Sequence, residues 1–532
     1  MNTQILQTRG VLSGLAPYQG TWGKVELTHL LRRTLFGVTK ADLNAFAGMT
    51  MDQVVDSLLA PPVPPSPPIN NYNSANYTDP YVPLGQTWVG AMPDPLKDFL
   101  KRNCLRTWWV QVLLNQNRSI QEKMTLFWQN HLVTNYSDVG VSWASYTTNA
   151  LLRAAALGNF KQMVKDITKD VGMLKYLNGY QNNKNNPDEN YGRELQELFT
   201  LGANSGYTED DVKAAAKVLT GYRIDTTNQT YYFDSTKHET ADKQFSSFYN
   251  NTIITGLSGA AGEQELDTLM DMIFAKDEVA LFMCRNLYRF FVYYEIDNDI
   301  ETNVIIPLAD TFRNNNYDIL PVMAQLLKSE HFFDVANRSC LIKSPVDFAV
   351  GLCRQMLVVF PDNTDVVLQA KHYDYISSQL IIMQQSPAEP PSVAGWQAYY
   401  QEPAFHEMWI NSVTYPARVA FADKLITTGY TSGGYKLIFD IIGFTQSLDD
   451  AYDPNNLVAE AATLLHGIDV SQTVKDFMKG ILLSGQSTDA YWTSAWDNYI
   501  QNPTDMAYYQ EVYNRLQALY KYMLDTPEHQ LS

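Results

Sequence analysis

NPDENYGRELQELFTLGANSGYTEDDVKAAAKVLTGYR, residues 186–223, reads as two capped helices joined by a short glycine turn. Asn186 suits an N-cap, Pro187 the first helical position, and Glu189 the place of a capping-box acid. Gly202 closes that helix, Thr208 with Asp211 opens the next, and Gly221 ends it. At 100° per residue, Tyr191, Leu195, Leu198 and Phe199 share one side of the first helix. Asn190, Glu194 and Glu197 form a polar stripe beside that face, with Arg193 beyond. Two carboxylates at i, i+3 on a core boundary can share a metal, share a proton or hold a basic partner. The structural alternative is an Arg193–Glu197 pair within the helix, with Glu194 bonded to a core arginine such as Arg153.

The same helical period runs through most of the chain and indicates a mainly α fold: a large multi-helix body with a small β-hairpin insert and long irregular loops. Thr39 with Asp42 and Thr50 cap two short helices, and Ser119 with Glu122 caps IQEKMTLFWQNHL. In that helix Met124, Phe127, Trp128 and His131 share a face, so His131 points inward, as a core histidine or as a ligand or general base. The run PPVPPSPPIN, 61–70, is extended and works as a stiff spacer. Residues 224–250 alternate like a hairpin, placing His238 and Asp242 in an exposed polar insert. Residues 386–411 form a loop whose Trp396, Tyr399, Tyr400 and Trp409 either stack on a ligand or plug the core. An arm covers 1–24, the main helical domain 25–420, and a C-terminal helical extension 421–532 packs on the same body.

Charged residues are 18% of the 532, below the roughly 25% of ordinary domains. Aromatics reach 12%, with 33 Tyr and 10 Trp, a surface suited to hydrogen bonding and stacking. A net charge of -18 excludes nucleic acid as main partner. The four cysteines lack CxxC spacing and read as reduced core residues. No stretch reaches the roughly 18 apolar residues of a membrane span, and the N-terminus lacks a signal peptide's apolar core. By its own signals the protein stays in the cytoplasm, with export bound to a partner as the alternative. Walker A, GxGxxG after a strand, HExxH, GxSxG and Glu-x-x-His pairs are absent, and sequence identifies no metal or cofactor.

ENYGRELQELFTLG with GYTEDDVKAAAKVLTGYR resembles the signature of a large bacterial family, domain of unknown function 1800. HLLRRTLFG (29–37), EKMTLFWQNHLVT (122–134), NALLRAAALGNF (149–160), LIKSPVDFAVGL (341–352) and PPSVAGW (390–396) agree with it in order, over about residues 25–420. Tyr222 replaces a usual tryptophan, His238-Glu239 a histidine–aspartate pair, and Gln129 a histidine. The resemblance implies a mainly α-helical fold and a two-protein system at the cell envelope, the partner a sulfatase-like protein. Two functions follow. One is a helical accessory or scaffold protein that binds its partner through aromatic loops. The other is a hydrolase on a glycan or related polymer, with Glu194, Glu197, His131 and His238 catalytic and Arg193, Asn190 and the loop aromatics binding.

Overall fold

A computed structural model of the chain describes residues 13–92, 94 and 96–532. The first twelve residues of the N-terminal arm lie outside it. Helices dominate, and the described strands form three separate two-stranded ladders. The expected hairpin pairs Tyr222–Asp225 with Thr230–Phe233, and a second short ladder pairs Lys243–Gln244 with Ile253–Ile254.

Local capping places many helix starts where the sequence puts them. Thr39, Thr50 and Thr208 each accept from the N–H three residues on, and Asp42, Gln53 and Asp211 reach back to complete the boxes. Two starts differ. The central helix begins at Asn190, because Asn186 is drawn into a bridge with Asn183. The helix Gln121–His131 takes only a weak bond from Ser119, while Glu122 turns inward to Arg153.

One core runs from the first helix, Lys24–Thr34, to the last, Met506–Asp525. Lys24 and Lys40 pair with Glu460, and Arg32 donates to the carbonyls of Leu464 and Leu531, so the N-terminal helices lie against C-terminal ones. Gly37 shows how close the packing is. Its φ is +72°, and a Cβ there would stand 2.6 Å from the Gly351 backbone, so two backbones touch where no side chain fits. Three cysteines are buried and Cys340 is half-buried, all as free thiols. No described helix is long and apolar enough to cross a membrane.

Candidate functional site

The central helix is α-helical only over Asn190–Glu194; Leu195–Thr200 is a π-turn. The Leu201 N–H bonds Gln196 O at 2.9 Å, and the Thr200 hydroxyl donates to Leu195 O at 2.6 Å. Buried positions therefore recur every four residues: Tyr191–Gly192, Leu195–Gln196, Phe199–Thr200. Gln196 takes the interior place expected of Leu198, held by its donation to Gly192 O and by the Tyr249 hydroxyl. Turns of this kind occur often at functional sites.

Glu194 and Glu197 stand half-buried at its edge, and neither carboxylate takes a hydrogen bond or ion pair among the described residues. Burial raises the Glu194 carboxyl above its usual range, and the Glu197 charge adds to this. Neither structural partnership expected for them forms. Arg193 instead grips Glu209 with two bonds, 2.7 and 2.6 Å, and meets Glu189 at 3.4 Å. Arg153 is engaged by Glu122. Asn190 is exposed at the helix start, its N–H bonded to Asp188.

Neither histidine bonds to this pair. His131 is buried against Phe127, Trp128 and Phe160, and its Nε2–H donates to Phe199 O at 2.9 Å, a carbonyl of the π-turn. Burial pushes its pKa down to about 4. It is a core histidine. His238 corrects the expectation of an exposed insert, because it is buried. Its ring nitrogens face Thr220 O at 2.9 Å and Glu265 Oε1 at 3.1 Å, and Lys243 Nζ meets the other Glu265 oxygen at 2.5 Å. Burial pushes the Glu265 carboxyl up, but the bonds from His238, Lys243 and the Leu257 N–H outweigh it and hold it below its usual range. Among the described residues no three His, Cys, Asp or Glu side chains gather as metal ligands would.

The aromatic loop mostly plugs the core. Trp396 and Trp409 are buried, and Tyr399 stacks on Phe290 at 5.3 Å and meets Trp409 edge-on. Tyr400, 40% accessible, is the ring left to solvent.

A larger feature lies where sequence places only a spacer. The extended segment 61–67 stands off the helices Asp98–Leu114, Ser142–Ala154 and Val366–Ile382 and walls a cleft of about 1000 Å³. Trp108 fastens that wall, donating from its indole to Ser66 O at 2.8 Å. The cleft is aromatic and amide-rich: Trp108, Tyr146 and Tyr373 supply rings, and Gln111, Asn115 and Gln369 supply amides. Glu122 and Arg153 also line it, but they neutralise each other through bonds of 2.6 and 3.1 Å. Trp109 donates to the same carboxylate, and Arg153 lies over the Trp108 ring.

Fold and site together define a large α-helical protein with a wide cleft lined by proline, aromatic and amide side chains, with Asp362 at its rim as an acidic group beside the Glu122–Arg153 pair. The family model described as "Protein of unknown function (DUF1800)" matches residues 29–531, on through the C-terminal helices, and the chain belongs to that family. No curated protein and no solved structure matches it.

Proposed function

We propose that this protein is a helical accessory protein that holds an extended, uncharged polar chain, a glycan by its chemistry, while working with a partner protein. The cleft is the observation that supports this. Its volume of about 1000 Å³ sits at the upper end of the roughly 300–1,000 Å³ of small-molecule sites. Rings beside amides match the alternating apolar faces and hydroxyls of a sugar, and the Glu122–Arg153 pair offers no net charge, leaving Asp362 as the single unpaired charge of the lining. The partner, sulfatase-like in the family resemblance, rests on that resemblance.

A hydrolase is the second reading, favoured by the raised Glu194 carboxyl beside Glu197 on a π-turn. Neither His131 nor His238 bonds to that pair: His131 is held by Phe199 O and His238 by Thr220 O and Glu265. Screening neutral and acidic oligosaccharides against the whole protein separates the readings. The accessory reading expects binding without turnover, weakened tenfold or more, about 1.4 kcal/mol, by Gln111→Ala with Asn115→Ala. Turnover lost in Glu194→Gln overturns it.

A further inference from the structure

A second, smaller cavity of about 50 Å³ lies under the aromatic loop, and its lining carries an excess of positive charge. Arg32 and Arg33 come from the helix Lys24–Thr34, Lys123 from Gln121–His131, and Lys343 from the turn before Pro345–Gln355. All four are more than nine-tenths buried, with exposures of 6, 4, 4 and 8%. Half-buried Arg289 joins them in the lining. Asp347 is the one acidic side chain there, and it is already paired with Lys123 and bonded by the Ser344 hydroxyl.

The remaining cations hold only neutral acceptors. Arg32 donates to Leu464 O and Leu531 O at 3.3 and 2.6 Å, and Arg33 to Asn337 O at 2.9 Å and the Cys340 sulfur at 3.2 Å. Lys343 donates to His529 O at 2.6 Å. Arg33 Nε has no partner among the described residues. Arg418, fully buried, binds the Lys343 carbonyl and extends the row.

Taking an unpaired charge out of water costs several kcal/mol even after relaxation, so a fold that buries Arg32, Arg33 and Lys343 beside an already paired Asp347 is electrostatically incomplete. The electrostatics run the same way: burial and the neighbouring Arg33 push Arg32 down to about 10, and burial lowers Lys123 and, far more, Lys343. These cations also come from three of the stretches that carry the family resemblance: HLLRRTLFG, EKMTLFWQNHLVT and LIKSPVDFAVGL.

We propose that this cavity is an oxyanion site, taking a phosphate, sulfate or carboxylate group between Arg32, Arg33, Lys123, Lys343 and Arg289. The size fits. A water needs about 10–15 Å³ on the same measure, so the cavity holds roughly three to five waters, the bulk of one small oxyanion. Guanidinium forks supply planar pairs of donors for oxygen, and the ammonium groups supply point charge. Tyr294, Phe405, Trp409 and Ser532 complete the lining.

The test is thermal unfolding and calorimetric titration of the whole protein with sodium phosphate, sulfate or acetate, each against sodium chloride at matched ionic strength. A saturable rise in Tm is expected with at least one oxyanion. Phosphate or sulfate alone acting marks a tetrahedral group, and acetate alone a carboxylate. Lys343→Met should bind at least about tenfold more weakly, as expected for one lost charge-assisted contact. Its Tm in chloride should hold or rise, because a buried uncompensated cation has gone. If Lys343→Met does not fold, Arg289→Gln at the half-buried position gives the same affinity comparison. No effect beyond chloride overturns the proposal. So does a shift that survives both substitutions.

Discussion

Replacing His131 with glutamine measures how deeply this histidine belongs to the core. In the unfolded chain the imidazole takes a proton near its usual 6.5, whereas in the fold burial delays protonation to about 4. Between those values the unfolded state holds more protons, so stability falls as pH drops from 6.5 toward 4. Integrating the linkage from roughly pH 7 to roughly pH 5 gives a loss of about 2 kcal/mol from this one residue. Glutamine retains an N–H for Phe199 O and does not titrate in that range. Urea unfolding at the two pH values should therefore show His131→Gln losing about 2 kcal/mol less than the parent on acidification. His29, His466 and His529 are also pushed down by burial, so the parent's total loss is larger and the difference between the two chains isolates His131. Parallel pH dependences would refute the reasoning and return His131 to the pool of accessible bases.

Arg153→Met leaves Glu122 buried without its ion partner and should cost about 3–5 kcal/mol, seen as a lowered urea midpoint; a change under about 1 kcal/mol would show the pair to be dispensable. Glu194→Gln should leave stability within about 0.5 kcal/mol or raise it slightly, because burial and Glu197 already disfavour the charge and no partner is lost. A large loss in calorimetry would reveal a structural bond to this carboxylate. Gly37→Ala should lower stability by roughly 1–3 kcal/mol or more through its positive φ and the contact with Gly351, and unchanged thermal unfolding would contradict that packing.

Features set by a few neighbouring residues were legible in the sequence. The Thr39, Thr50 and Thr208 caps, the terminating Gly202 at φ +86° and the hairpin after Gly221 depend on local geometry alone. The π-turn is local too, but it rests on a shift in hydrogen-bond register that a wheel drawn at a fixed 100° cannot show. That shift put Gln196 inside where Leu198 was expected. The burial of His238 was hidden because its partner, Glu265, lies beyond the insert, which by itself reads as polar loop. Arg153 was paired from sequence with Glu194, but the turn of the helix Gln121–His131 toward it gives it Glu122 instead, a residue that reads from sequence as a cap.

The cleft was the least legible feature. Its wall comes from residues 61–67 and its far side from a helix beginning at Val366, so no window of sequence contains both. The signal present was Trp108 among the amides of the helix Asp98–Leu114 and its end, beside a proline run too stiff to fold back on itself. The buried cations were visible as letters, the paired arginines of HLLRRTLFG above all. What sequence does not show is that three separate motifs bring them to one cavity, where Asp347 is the one acidic side chain among the described lining residues.

The central claim is that the proline-walled cleft holds the ligand, and hydrogen exchange read by mass spectrometry tests it most directly. The whole protein would be compared with and without an oligosaccharide selected by the binding screen. The account predicts slowed exchange in peptides covering residues 61–71, 108–122 and 362–373. Protection confined to residues 190–200, around Glu194 and Glu197, with the cleft unchanged, would contradict it.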